Sequence, residues 1–200
     1  MTNILFLDTE TTGFPRKGVE AEEQPRIVEL AAMLYQVDEE QAKCRGSISL
    51  IIDNEMEIPE KTSEIHGITT EIAESYGHNA SDVFGILGLM LLKADLIVAH
   101  NIEFDIKLLG YLIERLGFDP SHYLQRETFC TMKASAPIVN LPPSSKMLAA
   151  GFSKPKPPKL NEAYKFFFDR ELENAHSAIA DVMACRDIYF KIRGISHVQP

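Results

Sequence analysis

The first quarter of the chain alternates apolar segments with polar loops. Ile4 to Leu7 are apolar without a break, which indicates a buried strand. A loop rich in glycine, proline and charge follows at Thr11 to Pro25, and a polar turn lies at Asp38 to Ala42. The segments between these loops predict three strands, of which the last two form a hairpin: Asn3 to Asp8, Ile27 to Val37 and Gly46 to Ile52.

Helical spacing of apolar residues dominates the remainder of the chain. The predicted helices are a short one in "EKTSEIHGIT" ending at Gly67, one over Asp82 to Lys93 with Ser81 as N-cap, a long one from the N-cap Asn101 to Gly117, and two over Leu160 to Phe168 and Ala178 to Ile192. Asp95 to Ala99 indicates a further buried strand, whereas Leu141 to Pro158 contains five prolines and is predicted to be loop. A hairpin followed by strand–helix alternation predicts a mixed α/β sheet with helices on its faces.

Composition indicates one globular domain. A chain of 200 residues, 45% of them hydrophobic, is expected to fold as a single domain over residues 1–200, with a core to about 193 and a short tail. The longest strongly apolar stretch, Phe84 to Leu92, is too short to cross a bilayer, and Asp8 and Glu10 interrupt the only apolar start. Three cysteines without CxxC spacing argue against disulfides or a cysteine-type zinc site. They predict buried free thiols and a cytoplasmic protein.

The distribution of charge is more informative than its sum. A net charge of −9 argues at first against a nucleic-acid binder. Between residues 133 and 165, however, six lysines face one glutamate, Glu162: Lys133, Lys146, Lys154, Lys156, Lys159 and Lys165. A solvated surface explains such a run equally well. Prolines hold the part "KPKPPK" extended, so we expect Lys154, Lys156 and Lys159 to contact a phosphate backbone.

Four carboxylates and a histidine occur where elements begin or end. Asp8 and Glu10 lie two residues apart at a strand end, so their side chains share a face at roughly 6–7 Å. Asp105 lies in the first turn of a helix, and His176 and Asp181 lie at the start of the last one. Each alone has an ordinary explanation, such as a carboxylate that complements a helix N-terminus. Together they form a ligand set for Mg²⁺, and two such ions about 3.5–4 Å apart can bind both reacting oxygens of a phosphodiester.

Three motifs in order resemble the DEDDh, or DnaQ-like, 3′→5′ exonuclease family: "FLDTETTGF", "VAHNIEFDIKLL" and "HSAIADVMACRDIYF". "IHGIT" and "KLNEAYKFFF" also resemble it, so the likeness covers most of the chain. The resemblance implies an RNase H-like mixed five-stranded sheet flanked by helices, and two Mg²⁺ ions that Mn²⁺ can replace. Asp8 would bridge both ions, Glu10 and Asp181 would complete one site, Asp105 would act on the second ion through water, and His176 would be the general base.

The resemblance also implies a set of substrate-binding residues. Thr11, Thr12 and Gly13 match positions that meet the terminal sugar, Ile65 and His66 match a lip beside the last base, and Phe104 matches an apolar contact near it. For Phe104 core packing is an equal alternative, and for His66 a role at the helix end competes.

The expected reaction is removal of nucleoside 5′-monophosphates from the 3′ end of single-stranded DNA. "DTETTG" with "HGIT" resembles the proofreading branch, which includes the exonuclease subunit of bacterial DNA polymerase III, more than the oligoribonuclease branch. RNA trimming, an RNase H-type endonuclease and a catalytically idle binding module are the alternatives. The loop Thr11 to Pro25 is longer than the usual turn and is expected to alter substrate access. No polymerase-tethering segment is visible in the tail "GISHVQP", although a polymerase remains a conceivable partner.

Overall fold

A computed structural model describes residues 1–38 and 41–196 and shows a mixed sheet with helices on both faces. The strands are β1 (Thr2–Thr11), β2 (Ile27–Val37), β3 (Ala42–Asp53), β4 (His78–Asn79), β5 (Leu96–Ala99) and β6 (Glu127–Cys130). Their order across the sheet is β4-β3-β2-β1-β5-β6. The β1–β2 and β2–β3 pairs are antiparallel, whereas β3–β4, β1–β5 and β5–β6 are parallel. The mixed α/β architecture predicted from the sequence is thus confirmed, with six strands rather than five.

The helices are α1 (Glu60–His66), α2 (Thr70–Tyr76), α3 (Ala80–Lys93), α4 (Ile102–Arg115), α5 (Pro120–Leu124), α6 (Thr131–Val139), α7 (Ser145–Ala149), α8 (Leu160–Phe168) and α9 (Ala178–Arg193). Helices α3 and α4 pack on one face of the sheet. Helix α9 packs on the opposite face, with α8 on its outer side. Helix α9 is therefore enclosed between the sheet and α8, and most of its surface is apolar.

The alternation of β1 explains its unbroken apolar run. Leu5 and Leu7 face the core under α3 and α4, whereas Ile4 and Phe6 face the core under α9. All four side chains are buried, because successive residues of a strand point to opposite faces and both faces are covered. This strand therefore lies in the middle of the fold and carries its carboxyl end into the space between the two layers of helices.

Several boundaries differ from the sequence-based expectations. Strand β3 begins earlier than expected, and α3 begins at Ala80 with Asn79 as its N-cap, because the Asn79 side chain accepts a hydrogen bond from the Ser81 amide at 2.9 Å. Asn101 does precede α4, but in a left-handed conformation (φ 75°) and without a side-chain cap. The segment expected to be loop contains α7 and a bridge between Leu141 and Lys156.

The hairpin turn and the tail are only partly described. Asp38 and Gln41 hydrogen-bond across the predicted turn, whose residues 39 and 40 lie outside the described part, as do residues 197–200 of the tail. The single domain over residues 1–200 therefore stays a prediction. In the described ranges, none of the helices combines the length and the apolar character that a membrane span requires.

The three cysteines are free thiols, as predicted, but they are not equally buried. Cys185 is buried on α9, whereas Cys44 and Cys130 are only half-buried. The expectation that all three are buried is wrong for these two, because each lies near a strand end that the helices cover incompletely.

The long loop after β1 is folded around a buried glutamine. Gln24 is 4% exposed, and its side-chain amide donates to the carbonyl oxygens of Arg16 and Val19. The amide of Arg16 donates to the Gln24 side-chain oxygen at 2.8 Å. Arg115 of α4 donates to the carbonyl oxygen of Ala21 at 2.8 Å, so the loop is attached to the helix that carries Asp105.

Candidate active site

The site begins at the carboxyl end of β1, where Asp8 and Glu10 project from one face. The parallel pairing of β1 with β5 ends at Phe6 and Val98, so β1 continues past its neighbour on that side. On the other side β2 remains paired, with Glu29 directly opposite Glu10. The two carboxylates thus lie at an open notch in the sheet, on the face that α9 covers.

Asp105 reaches the notch from the opposite face. Helix α4 starts directly after β5, and Asp105 in its first turn is 3% exposed. Thr9, the residue between the two carboxylates of β1, donates its hydroxyl to Asp105 Oδ1 at 2.9 Å. Because Thr9 points to the α4 face and its neighbours to the α9 face, one strand end connects the carboxylates of both layers.

Asp181 and His176 come from the start of α9. The His176 amide donates to Asp181 Oδ2 at 3.4 Å, which folds the preceding turn over the first turn of the helix. His176 is exposed and has a φ of 70°, a left-handed conformation that is uncommon for a residue with a side chain. Ligand atoms of Glu10, His176 and Asp181 all lie within 4.8 Å of one another.

The electrostatics of the site favour bound positive charge. Burial, followed by repulsion from Asp105, Asp181 and Glu10, raises the pKa of Asp8 well above its usual value. Burial and then Asp181 raise the pKa of Glu10 to about 8. Burial also raises the pKa of Asp181 to about 6 and that of Asp105, against the opposing Thr9 hydrogen bond. Each carboxylate thus holds its proton more tightly, first because it is buried and, for Asp8 and Glu10, also because other carboxylates are near.

The donor set fits a hard divalent cation. Oδ1 of Asp181 is buried and has no hydrogen-bond partner within the described residues, so one strong acceptor of the cluster has no protein donor. Carboxylate oxygens are the ligands that Mg²⁺ and Mn²⁺ prefer. Asp8, Glu10, Asp105 and Asp181, the four predicted metal ligands, are the residues that could hold such ions.

A cavity of about 260 Å³ adjoins Glu10. Its lining comes from β1 and the loop after it, from α1 and from the start of α4: Thr9, Glu10, Thr11, Gly13, Phe14, Thr62, Ile65, His66, Asn101 and Phe104. It contains five of the six residues expected to meet the terminal nucleotide. The sixth, Thr12, is outside the lining, and its hydroxyl accepts from the Arg26 amide at 2.9 Å to close the loop.

His66 lies both at the end of α1 and in the lining of the cavity. It is the last residue of α1, and its Nδ1 accepts from the Ile68 amide at 3.1 Å. Burial lowers the pKa of His66, which favours the neutral ring. Because Nδ1 is an acceptor, Nε2 carries the proton of the neutral ring, and this atom is buried without a hydrogen-bond partner among the described residues.

Phe14 is a candidate substrate contact that the sequence analysis missed. Its side chain is 82% exposed and meets the Phe104 ring edge-to-face, with 5.8 Å between the centroids. Phe104 packs partly against the core, as its alternative explanation required, and also lines the cavity. An aromatic residue directly after "DTETTG" was the available signal, because an exposed ring beside a phosphate site is suited to stacking on a base.

The three lysines expected to bind phosphate differ in their surroundings. Lys156 Nζ pairs with Glu162 at 2.8 Å, whereas Lys154 and Lys159 are exposed. The segment meets the edge of the site through Pro158, whose carbonyl oxygen accepts from His100 Nε2 at 3.1 Å. His100 directly precedes Asn101 of the cavity lining, so the lysine-containing segment contacts a residue next to the cavity through Pro158.

Comparison with known proteins identifies the family and the fold of the chain. A family model described as "RNase_T: Exonuclease" matches residues 5–189. No curated protein matches the chain. An exonuclease I structure described as suggesting how processivity is achieved has a TM-score of 0.73 and 19% identity, covering 98% of this chain and 42% of the other.

Two further exonuclease I structures show the same fold. E. coli exonuclease I in complex with a dT13 oligonucleotide has a TM-score of 0.72 and 20% identity, covering 96% of this chain and 41% of the other. A product-bound exonuclease I has a TM-score of 0.71 and 18% identity, covering 98% and 44%. The chain thus spans about two fifths of the length of these exonuclease I chains. With the RNase H-like fold and the family match over nearly its whole length, the chain belongs to the DnaQ-like exonuclease family, as a member of the DEDDh type.

Proposed function

We propose that the protein is a metal-dependent 3′→5′ exonuclease that removes nucleoside 5′-monophosphates from single-stranded DNA. The observation that carries the proposal is the meeting of Asp8, Glu10, Asp105 and Asp181 at one strand end beside a nucleotide-sized cavity. The family membership and the exonuclease I structures with bound oligonucleotides support it. The polymerase association, the closer likeness to a proofreading subunit and the cytoplasmic location stay predictions.

The carboxylates would hold two divalent ions. Glu10 and Asp181 would bind one ion, Asp105 would act on the other, and Asp8 would bridge both. When bound, these ions supply the positive charge that stabilises the attacking and leaving oxygens of the phosphodiester. The Thr9 hydroxyl donates to Oδ1 of Asp105 and so orients that carboxylate at the end of β1.

His176 would take the proton from the attacking water. Its position in an exposed turn lets the imidazole approach the scissile phosphate from solvent, and a neutral imidazole is a suitable base near pH 7. The cavity beside Glu10 would hold the terminal nucleoside, with its base against Phe14, Phe104 and Ile65. The terminal phosphodiester would then lie over the carboxylates, so that cleavage starts from the 3′ end.

Digestion of matched oligonucleotides tests this proposal. DNA and RNA of one sequence, each labelled at the 5′ or the 3′ end, are incubated with Mg²⁺ or Mn²⁺ beside a circular single strand. We expect the 5′-labelled DNA to shorten stepwise, the 3′-labelled DNA to release a labelled mononucleotide at once, and the circle to survive. Cleavage of the circle would show an endonuclease, faster loss of RNA an exoribonuclease, and binding without cleavage a non-catalytic module.

A further inference from the structure

The start of α9 lacks the local cap that most helices have. The first amides of a helix have no intrahelical acceptor, and a side chain at the N-cap usually supplies one. Ser177 occupies the N-cap of α9 but makes no side-chain cap hydrogen bond. Ala178, the first residue of the helix, is 0% exposed. Its buried amide therefore needs an acceptor from elsewhere in the protein.

Glu29 of β2 supplies that acceptor. Its Oε2 accepts from the Ala178 amide at 3.0 Å, across 149 positions of sequence. The register of β2 places Glu29 opposite Glu10 and on the sheet face that α9 covers. A carboxylate at this position also interacts favourably with the positive end of the helix dipole.

The hydrogen bonding of Glu29 differs from that of the proposed metal ligands. Its second oxygen, Oε1, accepts from the Ser49 hydroxyl at 3.4 Å, so both oxygens of Glu29 have protein donors. Asp181 by contrast has an oxygen without a partner among the described residues. Both oxygens of Glu29 therefore bind protein groups, whereas Asp181 keeps one oxygen for a ligand that is not part of the protein.

Helix α9 has two attachments to β2 that act at different places. In the middle of the helix, the buried Arg186 donates to the Tyr35 hydroxyl at 3.0 Å and to Asp187 at 2.7 Å. At its start, Glu29 fixes Ala178. The first attachment holds the body of the helix, and the second holds the turn from which His176 and Asp181 extend.

We propose that Glu29 is a positioning residue that fixes the start of α9 from the sheet and thereby sets Asp181 and His176 over the site. The inference rests on the proposed function for its catalytic consequence but not for the capping contact itself. Small displacements of catalytic groups are costly, because an error of about 1 Å can lower a rate on the order of 10²-fold.

Two substitutions separate the hydrogen bond from the charge. Glu29→Gln keeps an oxygen that can accept from Ala178 and removes the negative charge, whereas Glu29→Ala removes both. Ser49→Ala is the matched control, because it deletes only the other partner of the same carboxylate. The Arg186 attachment is intact in all three variants, so we expect each to fold. Measurements are hydrogen exchange of the Ala178 amide in the metal-free protein, and kcat and KM on single-stranded DNA with Mn²⁺.

We expect Glu29→Ala to speed exchange at Ala178 about fivefold, as loss of a helix cap typically does. Its kcat should fall on the order of 10²-fold at nearly unchanged KM, while Glu29→Gln and Ser49→Ala should resemble wild type in both measurements. Unchanged exchange in Glu29→Ala would overturn the proposal. So would a Glu29→Gln variant that keeps the amide protected yet loses as much kcat as Glu29→Ala, because the charge would then be what matters. If wild type releases no nucleotides, the proposed function fails, and exchange at Ala178 alone still decides whether Glu29 caps α9.

Discussion

The surroundings of each carboxylate in the site determine its pKa. Asp8 and Glu10 are half-buried, and burial together with repulsion from neighbouring carboxylates raises the pKa of both. Asp105 is almost fully buried, and burial raises its pKa against the hydrogen bond from Thr9. Such an arrangement costs folding free energy in the absence of metal, because the folded chain holds together charges that the unfolded chain separates. The metal-free site therefore lowers the free energy of unfolding of the protein.

Replacing Asp181 by Asn tests this cost. The change keeps the shape of the side chain and removes one charge, so the metal-free variant should melt at the same temperature as metal-free wild type or higher. Mn²⁺ at about a hundredfold excess over Kd should stabilise wild type by about 2.7 kcal/mol, and the variant by clearly less. Four melting curves, each protein with EDTA and with Mn²⁺, give the answer. A strongly destabilised metal-free variant with an undiminished Mn²⁺ shift would make Asp181 a structural residue.

His176 is expected to act on water rather than to bind metal. His176→Ala should lower kcat by roughly 10²- to 10⁴-fold, the usual contribution of a general base. The Mn²⁺-induced rise in melting temperature should stay as in wild type, although the imidazole lies within 4.8 Å of ligand atoms of Glu10 and Asp181. His78→Ala, a change at an exposed histidine of β4, is the control. A His176→Ala variant of near-normal rate, or one that no longer responds to Mn²⁺, would refute this assignment.

Sequence analysis at the residue scale named the five motif residues but not all their partners. Asp8, Glu10, Asp105, His176 and Asp181 follow from motifs that can be read along the chain. The contact of Glu29 with Ala178 joins residues 149 positions apart, and only the packing of α9 on β2 reveals it. Phe14 escaped notice because a lone exposed aromatic residue in a loop carries no periodicity.

Elements with complete apolar patterns were predicted well, and several elements without such a pattern were not. Strand β2 and helix α8 have the predicted bounds, because each presents a complete apolar pattern. Strands β4 and β6 and helix α7 contain two to five residues, too few to show a period. They form because neighbouring elements pair or pack with them, which is information that the local sequence does not contain.

The segment from Lys154 to Lys159 is expected to bind the strand that enters the site. Replacing Lys154 or Lys159 by Gln should weaken single-strand binding and reduce the slope of log K against log salt by roughly 0.7 for each lysine–phosphate interaction that the change removes. Lys156→Gln is the matched comparison, and its effect should be smaller because Glu162 already engages that ammonium group. Binding isotherms at several salt concentrations measure the slopes. Unchanged slopes for Lys154 and Lys159 would identify the segment as a solvated loop.

Helices on both faces of the sheet contribute residues to the site. Asp105 arrives from α4 on one face of the sheet and Asp181 from α9 on the other, and both meet β1 where β5 has ended. The strand order that creates this notch, with β1 between an antiparallel and a parallel neighbour, could not be derived from periodicity. The resemblance to a known family implied an RNase H-like mixed sheet but no strand order, which the structure supplies.

One time course tests the central claim most directly. Wild type, Asp105→Asn and Glu103→Gln digest a 5′-labelled DNA single strand with Mg²⁺ or with EDTA. Glu103 is the matched control, an exposed acid of the same helical turn that pairs with Lys133. We predict stepwise shortening by wild type and Glu103→Gln only with Mg²⁺, and a loss of at least roughly 10²-fold in Asp105→Asn, the scale expected when a group that stabilises the transition state is removed. Shortening by wild type in EDTA, or an Asp105→Asn variant as active as Glu103→Gln, would contradict the account.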